Sequence, residues 1–292
     1  MSGGFRSLHP FPGFLYYAIL MVFSMLLFHP LFLITSLFAM IGLNLLHDGG
    51  KQLRPWVGYY VITGLIIILV NPLFSHRGAY ILFYLFDNPI TLESVLYGIT
   101  MMLSILTILV AFVSYNQMIT STKFIYLFSG IAPKVTLLMV IAMRFVPLLK
   151  RRLKDLSLVQ RTRGIQTTHG SLRNRIKNGM KQQQILLTWS LEEAIQTADS
   201  MSARGYGLGK RSSYEGYCME FRDWIVIILM VSLGAGCLAG WYFGFGTLTI
   251  YPSVESLFFD KKEWFYYGCF CLFLMIPVFM EGREKLRWYD WK

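Results

Sequence analysis

From Leu92 to Tyr115 the chain carries a single charge, Glu93, and apolar runs of the same kind occupy Phe14–Phe28, Leu31–Leu46, Val57–Phe74, Val135–Leu149, Trp224–Phe245 and Trp264–Met280. Crossing the hydrocarbon core of a bilayer as a helix takes about 20 apolar residues, and only helices and closed barrels satisfy their own backbone polar groups there. The runs approach that length, so the fold class expected is all-α, a polytopic membrane protein with about five to seven transmembrane helices. Composition agrees. Hydrophobic residues make up 55% and charged residues 15% of the chain, against about 25% charged in a soluble domain. Cys218, Cys237, Cys269 and Cys271 have no metal-ligand spacing, and Cys269 and Cys271, which lie within an apolar run, read as small buried hydrophobes. The first apolar stretch lacks a small-residue cleavage site after it and is expected to remain in the mature protein.

Proline and glycine mark where the spans end. His29-Pro30 separates the first two runs, and because proline cannot continue the helical hydrogen-bond ladder, a helix boundary is expected there. Between Leu73 and Phe86, Gly78 breaks any regular helix, as do Asp87, Asn88 and Pro89 beyond it, and a short irregular excursion at the membrane interface is expected.

The net charge of +11 is not spread evenly. Residues 150–222 hold fourteen basic and six acidic residues, a net of +8. By the positive-inside rule this insert faces the cytoplasm, as does the tail with Arg283, Lys285, Arg287 and Lys292. Three regions follow: 1–149, an N-terminal transmembrane region; 150–222, a cytoplasmic module; and 223–292, a C-terminal transmembrane hairpin with a basic tail. Lys51 and Arg54 suggest another inside loop, yet counting spans from there puts Lys150 on the wrong side. Either one apolar run does not cross, or the segment Met118 to Ala132 does.

The insert reads as two long helices. The first enters through Val135, passes Pro147 and ends at Arg163-Gly164, where glycine tolerates a left-handed C-cap. Thr167 to Gly170 is a turn by composition. Ser171 is the N-cap expected for a second helix running to about Ala203. Leu172, Ile176, Met180, Leu187, Leu191, Ala194, Ala198 and Met201 recur at intervals of three and four, with a break at Gln183 and Gln184, which is the period of an amphipathic helix. At 1.5 Å per residue that helix measures about 45–50 Å. Its apolar stripe needs a cover: lipid headgroups, the first helix or a partner. Both helices end in a small residue followed by Arg-Gly: Thr162-Arg163-Gly164 and Ala203-Arg204-Gly205. Glycine stops a helix and lets another backbone come close, and arginine offers five fixed donors to a partner.

On these residues the chain resembles the transmembrane T component of energy-coupling factor transporters, bacterial vitamin and metal importers driven by ATP-binding-cassette subunits. That family carries two Ala-Arg-Gly signatures at the ends of cytoplasmic coupling helices. Ala203-Arg204-Gly205 matches the second in full; the first departs at Thr162. Further matches are Asn71 to Gly78, Thr91-Leu92-Glu93 followed by Gly98, and Arg144-Phe145-Val146-Pro147. The resemblance covers roughly Leu15 to Gly207. It implies a non-catalytic coupling subunit in the bacterial cell membrane, multi-pass, whose partners are two ATPase subunits, a substrate-binding S component and membrane lipid, with no nucleic acid. Thr162, Arg163, Gly164, Ala203, Arg204 and Gly205 would contact the ATPases. Leu187, Leu191, Ala194 and Ala198 would contact the S component or the other coupling helix.

Other chemistry finds little footing. Gly205 to Ser212 fails the phosphate-loop pattern, since Arg204 stands where its first glycine belongs and Arg211 where Ser or Thr is required. His9, His29, His47, His76 and His169 form no metal-ligand pair, and no cofactor is expected. Arg144 reads equally as a functional group near a span or as a side chain snorkelling to the interface, and Glu93 as a complement to a helix dipole. A self-contained secondary transporter or channel is the alternative; it should show internal repeats or several intramembrane charges.

Overall fold

A computed structural model describes residues 5, 8–75, 78, 80–85, 88–165, 171–209, 217–250 and 261–289. In chain order its elements are α1 Pro10–Leu26, α2 Pro30–Asp48, a 3-10 turn Arg54–Trp56, α3 Val57–Phe74, β1 Ile81–Leu85, β2 Asn88–Thr91, α4 Leu92–Met118, α5 Ser121–Ser129, α6 Pro133–Thr162, α7 Leu172–Ala203, α8 Phe221–Tyr242 and α9 Lys261–Tyr289. Among the described residues five helices are long and apolar enough to cross a membrane: α2, α3 with its preceding turn, α4, α8 and α9. The chain is an all-α multi-pass membrane protein. The sixth apolar helix, α1, has 17 residues. The run Val135–Leu149 is not one of the five, because it forms the first half of α6, a helix of 30 residues that carries Lys134, Arg144 and Lys150. His76, Arg77, Asp87, Thr167 to Gly170, Lys210 to Ser212 and Lys292 lie outside the described residues.

The chain forms two compact units, residues 1–124 with 217–292, and residues 125–216. Of the region 150–222, residues 150–216 belong to the second unit and 217–222 to the first. In the first unit α4 packs on α1, α2 and α3, while α9 packs on α2 and α8. The centre is aromatic: Tyr16 stacks on Phe273 with centroids 5.1 Å apart, and Phe23 meets Phe273 edge-on at 5.8 Å. Several hydroxyls inside this body find partners, as buried polar groups generally do. The Tyr17 and Ser114 hydroxyls are 2.6 Å apart, and the Ser104 hydroxyl donates to the Ser24 carbonyl at 2.6 Å.

Two helix starts use the same device. His9 precedes Pro10 and His29 precedes Pro30; in each pair the imidazole Nδ1 accepts the backbone N–H two residues on, at 3.2 and 3.3 Å. Proline at the first helical position has no N–H to satisfy, so the cap falls to the next free donor. The boundary expected at His29-Pro30 is thus a capped helix start.

The excursion expected to be irregular is a β-hairpin, β1 pairing antiparallel with β2. Residues of the matched stretches meet at its base. Thr91 caps α4 through its hydroxyl, and the fully buried Glu93 carboxylate accepts the Tyr80 N–H at 3.2 and 3.3 Å. Gly78, at φ +149°, lies so close that a Cβ there would come within 2.5 Å of Glu93 Oε2. Gly98 lets α4 approach Asn71 on α3. Glu93 therefore tethers the hairpin as well as standing in the first turn of α4.

Contacts within this unit also settle the span parity. A Cβ on Gly13, near the start of α1, would touch Ile119 and Met118 at the end of α4, and His9 lies edge-on to Tyr217, just before α8, at 6.2 Å. The end of α4 and the start of α8 therefore share one end of the helical body. His47, near the end of α2, reaches Glu281 on α9 at 3.1 Å, and Glu281 also accepts the Phe5 N–H at 3.1 Å, which places the end of α2 there too. The chain between α4 and α8 therefore leaves and returns at the same end of the body, which requires an even number of crossings between them.

Candidate functional site

The second unit is built on α6 and α7, which pack together. Their ends are closed by the same hydrogen-bond pattern. At the end of α6 the Ile165 N–H donates to the Gln160 carbonyl at 3.0 Å and the Gly164 N–H to the Arg161 carbonyl at 3.1 Å. At the end of α7 the Tyr206 N–H donates to Met201 at 3.0 Å and the Gly205 N–H to Ser202 at 3.0 Å. This is the Schellman closure, which needs a left-handed residue after the cap; Gly164 and Gly205 supply it at φ +75° and +80°. Arg163 and Arg204 occupy the cap itself, with nearly identical backbones at φ −89°, ψ 8° and φ −82°, ψ 6°.

The closure alone is not distinctive, since α8 ends the same way at Gly244, with Phe243 as its cap. An exposed guanidinium at the cap is what sets the α6 and α7 ends apart. Neither Arg163 nor Arg204 has an acidic partner among the described residues, and Thr162, Gly164, Ala203 and Arg204 are all exposed, with Gly205 half-buried. Thr162, the departure from the repeated pattern, turns its hydroxyl back onto the Val159 carbonyl at 2.7 Å. Its donor is spent on its own helix, leaving a compact residue where the second motif has alanine.

The two ends are equivalent in a second respect. Midway along the pair, Arg152 on α6 donates to Glu193 on α7 at 2.9 Å, and its guanidinium lies 5.5 Å from the centre of the Trp189 ring. Arg163 stands eleven residues after Arg152, and Arg204 eleven after Glu193. At 1.5 Å per residue, each Arg-Gly end lies about 16 Å along its own helix from the shared contact.

The face of α7 that packs is not the apolar stripe. Gln182 and Leu186 are buried and Trp189 and Glu193 half-buried, and on α6 Leu156 is the buried residue. Leu187, Leu191, Ala194 and Ala198 are exposed, along with Leu172, Ile176, Met180 and Ile195. Leu187 lies about 100° around the helix from Leu186, so α7 has a mixed face on α6 and an uncovered apolar face beside it. The motif arginines and the exposed stripe therefore sit on the same helix pair, away from the face that joins α6 to α7. Sequence reasoning missed the packing face because Gln182 and Glu193 interrupt its apolar character. The available signal was Trp189 and Glu193 at an i, i+4 interval opposite a basic helix.

Comparison with known proteins bears on this arrangement. A family model described as cobalt transport protein matches residues 11–214. A Staphylococcus aureus protein named energy-coupling factor transporter transmembrane protein EcfT is 25% identical over 183 residues, 58% of this chain and 67% of the relative. A Bacillus selenitireducens protein of the same name is 31% identical over 112 residues, 38% of this chain and 42% of the relative. The family match runs through α2, α3 and α4, three of the five candidate spans, and through both Arg-Gly ends, and on that extent the chain belongs to the cobalt transport protein family of membrane transporter components.

Proposed function

We propose that the chain is the non-catalytic coupling subunit of an ATP-driven importer of the energy-coupling factor type. Two ATP-binding-cassette subunits each receive one Arg-Gly helix end, Arg163-Gly164 or Arg204-Gly205. The observation that carries this reading is the equivalence of those ends: the same closure, an exposed arginine at each cap and the same distance from the Arg152–Glu193 contact. A pair of similar ATPases presents two similar grooves, and two matched prongs on one chain suit them.

Closing of the ATPases on nucleotide moves one helix against the other. The α6–α7 interface suits such movement, since it rests on few buried apolar residues and a partly exposed ion pair. The uncovered face with Leu187, Leu191, Ala194 and Ala198 carries the movement to a membrane-embedded S component, which binds a vitamin or metal ion and selects the cargo. The end of the body that holds Lys51, Arg54, Arg222 and Arg283 faces the cytoplasm of a bacterial cell, in accord with the positive-inside rule.

The test is recovery of the tagged protein from native membranes in mild detergent, with its companions identified by mass spectrometry. The reading predicts two cassette ATPases and a small membrane protein in the same particle. Recovery of the chain alone, active in substrate uptake without ATP, supports the self-contained transporter instead.

A further inference from the structure

We infer that the end of the helical body beside the α2–α3 turn carries a binding site for one anionic phospholipid. A cleft of about 550 Å³ opens there between that turn and the last turns of α4. Its mouth holds Lys51 and Asn116, both exposed, and its wall is formed by Trp56 and Tyr59, whose rings meet edge-on at 6.2 Å. Leu109 and Phe112, on the apolar run of α4, line its other side.

The chemistry of the lining is ordered along the span. Its cation and amide lie at the helix ends, its amphipathic aromatics beside them and its aliphatic groups deeper along α4. A phospholipid presents the same order of phosphate, glycerol and acyl chain. Trp and Tyr are suited to that boundary, and the volume lies within the range of small-ligand sites. Charge decides the headgroup. The lining contains Lys51 and no Asp or Glu, and Lys51 has no ion-pair partner among the described residues. A net negative headgroup leaves that ammonium paired, whereas a zwitterion brings its own cation to a wall that already has one. A free inorganic phosphate leaves the apolar part of the lining uncovered, so the occupant is the lipid. This site does not depend on the coupling role proposed above.

The full chain, purified in dodecyl maltoside, is titrated with palmitoyl-oleoyl phosphatidylglycerol and bound lipid is read by native mass spectrometry. One lipid should bind more tightly than the rest and should resist displacement by inorganic phosphate. Lys51→Ala should weaken it roughly fivefold, the worth of one basic contact at a membrane surface. Lys51→Arg should retain it. Arg54→Ala, which removes a neighbouring cation outside the cleft, should leave it unchanged. Equal binding by wild type and Lys51→Ala overturns the assignment. So does equal weakening by Arg54→Ala, which reduces the effect to general surface charge.

Discussion

Gly164 and Gly205 adopt φ values of +75° and +80°, and Gly164 has no atom within 4 Å of a hypothetical Cβ. Replacing it by alanine therefore adds no clash and tests the backbone alone, at a cost of about 1 kcal/mol. Gly164→Ala should speed amide exchange at Ile165, whose N–H closes the α6 end, and Gly164→Asn should do so less. Gly78 is the opposite case: its Cβ would meet both Glu93 and Thr91, so Gly78→Ala should lower the melting temperature of the purified protein more than Gly164→Ala does. At His9 the residue scale meets pH. Burial lowers its pKa, and the nearby Asp223 carboxylate partly offsets that. The neutral ring is the one that can accept the Phe11 N–H. A folded-state pKa below the unfolded value means that unfolding takes up protons on acidification. The stabilisation is present above about pH 6.5 and is lost as pH falls below that value. His9→Gln should flatten the decline in melting temperature between about pH 7.5 and 5.5; an identical decline in wild type and variant contradicts the capping role.

For the two long helices, the distinction that matters is between adjacent leucines. Leu186 is 8% exposed and Leu187 55%. Leu186→Ala should destabilise the α6–α7 pair by about 2 kcal/mol through lost packing, whereas Leu187→Ala should stay within about 0.5 kcal/mol. Limited proteolysis within 171–209 separates the two, and equal sensitivity of both variants overturns the assignment of faces. The helix itself was legible in the sequence. Ser171, Gly205 and the three-and-four spacing correctly place its cap, its stop and its 32 residues. Which face packs was not legible, because hydrophobic periodicity finds the most apolar stripe and does not reveal which face the neighbouring helix covers. The hairpin at 81–91 escaped notice for a related reason. Its strands are short, and what pins them, Glu93 on the Tyr80 N–H, is a contact between a loop and a helix that no local pattern encodes.

At the scale of the whole molecule, the parity that span counting left open follows from which ends meet. Gly13 against Met118, and His9 against Tyr217, bring the end of α4 and the start of α8 to one end of the body. A membrane-impermeant maleimide should therefore reach the exposed Cys218 and an introduced Gln52→Cys from one side of sealed vesicles, and Tyr84→Cys on the hairpin from the other. Reaction of Cys218 and Gln52→Cys from opposite sides contradicts this arrangement. The Arg-Gly pairs were visible as residues from the start, but their equal placement about Arg152–Glu193 emerged only once the two helices were seen in contact. That equivalence is the centre of the account. Its most direct test is the double charge reversal Arg163→Glu with Arg204→Glu, assayed for retention of the cassette ATPases on the purified membrane subunit. The account predicts normal amounts of the variant in the membrane, loss of both ATPases and loss of ATP-driven uptake. A double variant that keeps its ATPases and imports at the wild-type rate contradicts it.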